Sequence, residues 1–225
     1  MTPKAILFDA GGTLVTMHPA RFSEVVEQFL GSVPDPERLV DAHYLAMDAV
    51  VRNPEIVANS DWWKWWLGEF LGFAGLEQSQ HAVDALSETR GLWQDPLPGA
   101  LDAVRAIRQA GFAVAVVSNA DGHVERDLAA AGFGDLFDVV IDSTAVGVSK
   151  PDPRIFDFAL EALDVAAEEA WYVGDSAIFD LQGSQNAGLA DFVLVDPFGL
   201  HDHQPRVASV AEFARDFLTE HAPSD

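Results

Sequence analysis

Hydrophobic residues along this chain of 225 residues follow two patterns that alternate. Short, unbroken apolar runs are typical of strands that are buried on both faces of a parallel sheet. Five such runs occur, at Ala5 to Phe8, Phe112 to Val117, Val139 to Ile141, Trp171 to Val173 and Phe192 to Val195. Stretches with helical spacing lie between them, at 100–110, 123–131, 154–163 and 181–187. This alternation predicts a doubly wound, Rossmann-like α/β domain with a parallel, five-stranded sheet.

The region from 19 to 93 has a different pattern, with long helical periodicity and no strand-like run. Helical spacing covers 22–30, 36–51, 61–72 and 80–93. A proline-rich linker, Asp95 to Gly99, follows. We therefore expect a core domain of residues 1–18 and 94–225, and an all-helical domain of residues 19–93. Because open α/β sheets bind ligands at the carboxyl ends of their strands, an insertion after the first strand is expected to form a cap over an active site.

Composition excludes several classes of function. The formal charge of −23, from 13 Lys and Arg against 36 Asp and Glu, argues against nucleic-acid binding. The absence of cysteine excludes disulfides and thiol catalysis and fits a reducing compartment. The first apolar run, Ala5 to Phe8, is too short for a signal peptide or a membrane span. We expect a cytoplasmic protein with neither a nucleic-acid nor a membrane partner; the acidic composition leaves open whether the protein works in a salt-rich environment.

Polar residues that suit phosphate chemistry stand at or near the ends of the predicted strands. Each has an ordinary structural explanation when it is taken alone, since Asp and Ser cap turns and helices and a loop lysine is usually solvated. Together they supply a carboxylate nucleophile, a hydroxyl anchor, a fixed ammonium and metal-binding acids, which are the requirements of phosphoryl transfer through an aspartyl intermediate. The segments are Asp9 to Thr13, Ser118 with Asn119, Lys150, and Asp175 to Asp180.

Four sequence motifs carry a family resemblance over essentially the whole chain. They read FDAGGTL, VVSNADG, GVSKPDPRIF and YVGDSAIFDLQGSQNAG, in this order. The chain therefore resembles the haloacid dehalogenase-like (HAD) hydrolase superfamily, in the branch that carries a helical cap after the first strand. The residues of these motifs are also similar to those of the hydrolases typified by the rhythmically expressed gene 2 product.

The resemblance implies a role for each motif residue in a Mg²⁺-dependent phosphatase. Asp9 would be the nucleophile and a metal ligand, with Lys150 as a fixed charge beside it. Phosphoryl oxygens would be bound by Thr13 and by Ser118 and Asn119 with the backbone amides that follow. The metal site would be completed by the Gly11 carbonyl, Asp175 and Asp180. Asp180 could instead hydrogen-bond to Lys150.

Gly11 departs from the family pattern. Phosphatases of this superfamily usually carry there an aspartate that protonates the leaving oxygen and then activates water. General acid-base catalysis is worth roughly 10² to 10⁴ in rate, so hydrolysis of ordinary alkyl phosphates is expected to be slow. The substrate could have a good leaving group, as in an acyl or aryl phosphate. His18 could also act as a substitute acid, because it follows the first strand closely and titrates near neutrality.

Other functions remain open from the sequence. The phosphonate-cleaving branch also has a small residue at the position of Gly11 and uses a cap lysine, for which the candidate is Lys64 among tryptophans that could lower its pKa. The tryptophans are otherwise expected to pack the cap, although Trp62 and Trp66 could favour an apolar or aromatic substrate.

The sequence also leaves open two further functions and one further metal site. Haloacid dehalogenases resemble the chain at Asp9 and Lys150, but they work without the metal that the Asp175 and Asp180 pair indicates. A regulatory phosphate-binding protein with little turnover would also tolerate Gly11. The cluster His201 to His203 is more typical of a solvated loop than of a metal site.

The expected partner is a small phosphorylated metabolite, and the sequence does not distinguish a monomer from a homodimer.

Overall fold

The computed structural model describes residues 2–31 and 33–221. The chain divides into two compact units, Met1–Val15 with Pro96–Asp225, and Thr16–Asp95. We refer to them as the core unit and the cap unit. The sequence pattern predicts boundaries after residues 18 and 93, a few residues away along the chain.

The strands of the described chain form one large and one small sheet. Their bounds are β1 (Ala5–Phe8), β2 (Val15–Thr16), β3 (Asp95–Pro96), β4 (Ala113–Ser118), β5 (Val139–Asp142), β6 (Ala170–Gly174), β7 (Asp191–Val195) and β8 (Arg206–Val207). The large sheet has the order β5-β4-β1-β6-β7-β8, and β2 pairs with β3. Every neighbouring pair in the large sheet is parallel. The α/β prediction is confirmed.

The predicted number of strands is wrong, because the large sheet has six strands rather than five. The sixth strand, β8, pairs Arg206 with Leu194 and Val207 with Val195 at the edge of the sheet. Both of its residues are only half-buried. A two-residue edge strand has no apolar run, so hydrophobic pattern alone does not reveal it.

Ten α-helices occur among the described residues. Their bounds are α1 (Pro19–Leu30), α2 (Pro36–Arg52), α3 (Trp62–Phe73), α4 (Gln80–Glu88), α5 (Ala100–Gln109), α6 (Val124–Ala130), α7 (Ser143–Val146), α8 (Arg154–Leu163), α9 (Asp180–Asn186) and α10 (Val210–His221). The sequence pattern predicts eight of them. It extends α4 to Trp93, whereas the helix ends at Glu88 and Gly91 follows with a φ of 71° that favours glycine. It omits α7 and α10.

Helices cover both faces of the large sheet. On one face, α10 packs through Phe213 against Phe8, with ring centroids 6.3 Å apart. In the same layer Phe217 packs against Phe112 at 4.8 Å. On the other face, Phe156 of α8 meets the ring of Tyr172 edge-on at 4.9 Å. All four residues of β1 are buried, as the unbroken apolar run predicts.

The cap unit contains α1 to α4 and is packed by aromatic residues. Trp66 is fully buried and stacks on Trp63 at 4.6 Å and on Phe70 at 5.2 Å. Trp66 therefore packs this unit, and its burial contradicts the suggestion that it offers a surface to substrate. No helix in the described part of the chain is long and apolar enough to cross a bilayer.

Candidate active site

The carboxyl end of β1 places Asp9 between two neighbouring strands. Phe8 is in register with Val116 of β4 on one side and with Val173 of β6 on the other. The backbone amide of Asp9 donates to the Val173 carbonyl at 2.9 Å. Since the strands are parallel, the residues that end β4 and follow β6, Ser118 and Asp175, emerge at the same edge of the sheet as Asp9.

A tight turn follows Asp9 and buries a hydroxyl. Gly12 has a φ of 75°, a conformation that favours glycine, and its amide donates to the Val15 carbonyl at 2.8 Å. Thr13 is 1% exposed, and among the described residues its Oγ1 has no hydrogen-bond partner. Buried polar atoms are nearly always paired, so this hydroxyl is suited to a bound ligand oxygen.

Lys150 is buried and held by three oxygen atoms. Its Nζ donates to Asp9 Oδ1 at 2.7 Å, to Asp180 Oδ1 at 2.6 Å and to the Tyr172 hydroxyl at 2.8 Å. An ammonium has three protons, so these contacts satisfy all of them. The Tyr172 hydroxyl in turn donates to the Val117 carbonyl at 2.7 Å. Lys150 is thereby fixed beside Asp9.

Asn119 also acts on Lys150. Its Oδ1 accepts from the Lys150 amide at 2.8 Å, and its Nδ2 donates to the Lys150 carbonyl at 3.0 Å. The side chain of Asn119 thus joins the end of β4 to the loop that carries Lys150. These contacts give Asn119 a positioning role that the sequence did not predict.

Three buried carboxylates converge at the same place. Asp9, Asp175 and Asp180 each offer an oxygen, and these oxygens lie within 4.8 Å of one another. Three carboxylates face one ammonium, so a divalent cation would balance the charge. Oxygen ligands suit Mg²⁺, and the residues present therefore fit this metal.

The pKa values of these groups respond to burial and to one another. Burial raises the pKa of Asp9, against the opposing charge of Lys150. Burial also raises the pKa of Asp180 to about 7, with the charges of Asp9 and Asp175 adding to the effect. Burial alone would lower the pKa of Lys150, but the charges of Asp180 and Asp9 raise it above its ordinary value. Lys150 therefore remains a cation.

Asp180 makes the contact that the sequence left as an alternative. Besides its bond to Lys150, its Oδ2 accepts from the Ser176 amide at 2.9 Å. Gly174 makes room for it, because a Cβ at Gly174 would lie 2.6 Å from Asp180 Cγ. Asp180 therefore orients Lys150, whatever it adds to a metal site.

Three further sequence candidates are His18, Lys64 and the cluster that contains His203. His18 directly precedes α1 in the cap unit as its N-cap residue, and its Nδ1 is buried with no hydrogen-bond partner in the described chain. Its role as an acid stays a prediction. Lys64 pairs with Asp84 at 2.6 Å, and this hydrogen bond raises its pKa, which contradicts the suggestion that the tryptophans lower it. His203 contacts the Phe192 carbonyl through Nε2 at 3.1 Å. Within the described residues, the three aspartates are the one group found that could hold a metal.

Tyr172 is the residue of this site that sequence reasoning missed. It lies within the apolar run of β6, and it is fully buried. Burial raises its pKa well above the ordinary value, so the hydroxyl keeps its proton. A phenol inside a strand predicted to be buried needs a hydrogen-bond partner, and that requirement was the available signal.

The sequence also matches known proteins. A family model of haloacid dehalogenase-like hydrolases matches residues 3–188. The chain belongs to this family. Haloacid dehalogenase-like hydrolase domain-containing protein 3 of Homo sapiens is 34% identical over 145 residues, which cover 61% of this chain and 58% of the relative. The chain therefore matches little more than half the length of that relative.

Two further relatives carry different activities in their names. A phosphoserine phosphatase of Thermus thermophilus is 38% identical over 117 residues, which cover 50% of this chain and 46% of that protein. A solved dehalogenase with an intermediate complex is 22% identical, with a TM-score of 0.66 and 99% of each chain covered. The latter likeness shows the fold that HAD hydrolases share.

Proposed function

We propose that this HAD hydrolase is a Mg²⁺-dependent phosphatase that cleaves small phosphate monoesters through a phosphoaspartyl intermediate on Asp9. The observation that carries the proposal is the contact of 2.7 Å between the buried ammonium of Lys150 and Asp9 Oδ1, beside the carboxylates of Asp175 and Asp180. The relative named as a phosphoserine phosphatase supports the choice of a phosphate ester.

The chemical steps follow from the nucleophile. The Asp9 carboxylate attacks phosphorus, so that an O–P bond forms while the P–O ester bond breaks and the leaving oxygen departs with the electron pair. Water then cleaves the acyl phosphate, which releases orthophosphate and restores the carboxylate. Lys150 keeps Asp9 oriented and offsets negative charge on the transferred group.

Other residues at the sheet edge would bind the phosphoryl group and the metal. Thr13, whose buried hydroxyl has no hydrogen-bond partner in the part of the chain that the structure describes, would contact a phosphoryl oxygen, as would Ser118. Asp9, the Gly11 carbonyl and Asp175 would hold Mg²⁺, with Asp180 in support. When bound, Mg²⁺ would supply positive charge opposite the phosphoryl oxygens.

Gly11 limits the choice of substrate under this proposal. Without a side chain that protonates the leaving oxygen, the enzyme is expected to favour acyl and aryl phosphates over alkyl phosphates. Gly11→Asp should leave alkyl phosphate hydrolysis unchanged or raise it. His18 remains a candidate for a substitute acid, and His18→Gln would then lower turnover of alkyl esters more than that of aryl esters.

The experiment that tests the function is phosphate release from p-nitrophenyl phosphate, acetyl phosphate and an alkyl phosphate, with Mg²⁺ or with EDTA. The proposal predicts metal-dependent turnover that Asp9→Asn abolishes. Asp127→Asn is the matched control, since Asp127 is a similarly buried aspartate of the core unit, on α6, and this change should preserve turnover. Orthophosphate binding without turnover of any ester would indicate a regulatory protein instead.

A further inference from the structure

The corner between β5 and α7 holds the loop that follows β4. We call residues 119–123 the β4 loop. β5 ends at Asp142, which pairs in register with Ser118, and Ser143 begins α7. Asp142 is buried, so its charge needs compensating contacts. Within the described residues, its hydrogen bonds come from backbone amides.

Asp142 accepts hydrogen bonds from three amides. Its Oδ1 accepts from the Thr144 amide at 2.9 Å and caps α7. Its Oδ2 accepts from the Gly122 amide at 2.9 Å and from the Val124 amide at 3.3 Å. The last two belong to the end of the β4 loop and the start of α6. Hydrogen bonds to a carboxylate are stronger than neutral ones, so Asp142 fixes where this loop ends.

Two hydroxyls of the same corner fix the middle of the loop. Ser143 Oγ accepts from the Ala120 amide at 3.0 Å and donates to the Ala120 carbonyl at 3.2 Å. Thr144 Oγ1 donates to the same carbonyl at 2.7 Å. Ala120 is two residues after Ser118, so the corner reaches close to the phosphate-binding hydroxyl of the proposed site.

These contacts do not engage the first residue of the β4 loop, which lies next to Ser118. The corner engages the amides of Ala120, Gly122 and Val124. The first amide after Ser118, that of Asn119, is not among them. The Asn119 side chain meanwhile holds the backbone of Lys150. The corner therefore supports both Ser118 and, through Asn119, the loop that carries Lys150.

We propose that Asp142 is a positioning residue that sets the affinity of the site for the phosphoryl group, an inference that rests on the proposed function. Asp142 does not touch the reacting atoms. It holds the β4 loop in the geometry in which Ser118 and the Asn119 amide converge on one anion. Loss of that geometry weakens phosphate binding in the substrate and in the product alike.

The test compares Asp142→Asn with Asp138→Asn. Asp138 precedes β5 at the opposite edge of the sheet, where its Oδ2 accepts from the Val114 amide at 2.9 Å. Both changes remove one charge from an aspartate that accepts a hydrogen bond from a backbone amide, which belongs to β4 for Asp138 and to the β4 loop for Asp142. The measurements are kcat and KM for p-nitrophenyl phosphate, the inhibition constant of orthophosphate, and the unfolding temperature.

Asp142→Asn is expected to raise KM and the orthophosphate inhibition constant together by about tenfold, while kcat changes much less, because a misplaced binding group costs affinity of this order. Asp138→Asn should change neither constant, even where it lowers the unfolding temperature. A merely structural role predicts a lower unfolding temperature or active fraction with both constants unchanged, and that result would overturn the proposal.

Two further measurements keep the outcome decisive. If Asp142→Asn does not fold, Ser143→Ala removes two of the contacts to Ala120 and should raise the same two constants by about threefold, since it removes neutral hydrogen bonds. Unchanged constants in that variant would overturn the positioning role. If the wild-type protein hydrolyses no ester, the proposed function fails separately, and calorimetry with orthophosphate still decides: equal dissociation constants for wild type and Asp142→Asn contradict the inference.

Discussion

The two edges of the large sheet carry charged residues in different environments. At the edge formed by the amino ends of the strands, which we call the amino edge, Lys4 pairs with Glu169 and Arg108 with Asp138. The side chains of Lys4 and Arg108 are 62% and 39% exposed. At the carboxyl edge, the side chains of Lys150 and Asp180 are 2% and 1% exposed. The same sheet carries both sets of charges, and they differ in burial and in the number of carboxylates that share one cation.

This difference separates charges that serve solubility from charges that serve chemistry. Exposed ion pairs contribute about 0 to 1 kcal/mol to stability, so the pairs at the amino edge change the free energy of unfolding little. Burial of a charge costs several kcal/mol unless partners compensate for it. At the carboxyl edge, Lys150 and three aspartates are buried in spite of this cost. A fold gains nothing from such a cluster by packing alone, which is why we place the function there.

The largest expected effect comes from removal of the buried ammonium. Lys150→Met should abolish phosphatase turnover, by roughly 10³-fold or more, because Asp9 loses its orienting charge. In EDTA it should also destabilise the protein by about 3 kcal/mol, since it leaves carboxylates buried without their partner. Turnover assays and urea unfolding measure the two effects.

Lys4→Met is the matched change at the amino edge. It removes an exposed lysine of one ion pair, so turnover should stay at the wild-type level and stability should change by less than about 1 kcal/mol. Equal losses in Lys4→Met and Lys150→Met would remove the distinction between the two edges.

A smaller effect is expected when the Asp180 carboxylate is shifted while Lys150 keeps its charge. Gly174→Ala places a Cβ 2.6 Å from Asp180 Cγ, so the carboxylate that accepts from Lys150 must shift. We expect turnover to fall by about 10²-fold, the order of loss that a misplacement of about 1 Å produces. Steady-state kinetics measure it.

Gly68→Ala provides the control for this steric argument. Gly68 lies in α3, where an added Cβ would meet no atom within 4 Å. Alanine there should preserve turnover and stabilise the helix by about 0.5 to 1 kcal/mol. Wild-type activity in Gly174→Ala would show that the position of Asp180 does not matter for catalysis.

The smallest expected effect concerns the hydroxyl that completes the contacts of Lys150. Tyr172→Phe keeps the ring that packs on Phe156 and removes the oxygen 2.8 Å from Lys150 Nζ. We expect kcat to fall by about tenfold with KM little changed, and stability to fall by about 1 to 3 kcal/mol, since one buried donor loses its acceptor.

Tyr44→Phe, at the chain's other tyrosine, controls for the loss of a hydroxyl from a buried tyrosine in general. It lies in the cap unit and should leave the kcat of p-nitrophenyl phosphate hydrolysis near the wild-type value. A Tyr172→Phe enzyme with normal kcat would mean that Asp9 and Asp180 suffice to hold Lys150.

Sequence patterns predicted the framework better than the contacts. Unbroken apolar runs located β1 and β4 to β7, because strands buried on both faces leave that pattern whatever their partners are. They could not locate β8, which has two half-buried residues at an edge. The helix α10 was also missed, although its Phe213 and Phe217 close one face of the sheet.

The candidate site was predictable only as far as its motifs. The resemblance named Asp9 and Lys150, which lie 141 residues apart in the chain, and the structure brings them together. The supporting residues carry no comparable signal. Tyr172 stands inside an apolar strand and Asp142 ends another, and their neighbours in these strands are buried as well, so only their hydrogen-bond partners distinguish them. Contacts such as that of Asn119 with the backbone of Lys150 depend on loop geometry that no residue pattern specifies.

The most direct test of the central claim is the identity of the phosphorylated residue. The enzyme would be mixed with acetyl phosphate and Mg²⁺, quenched in acid within the first turnovers, and mapped by mass spectrometry. We predict one phosphoryl group on the peptide that contains Asp9, and none in Asp9→Asn. Phosphate release by a wild-type enzyme that carries no phosphoryl group on Asp9, or full turnover by Asp9→Asn, would contradict the account.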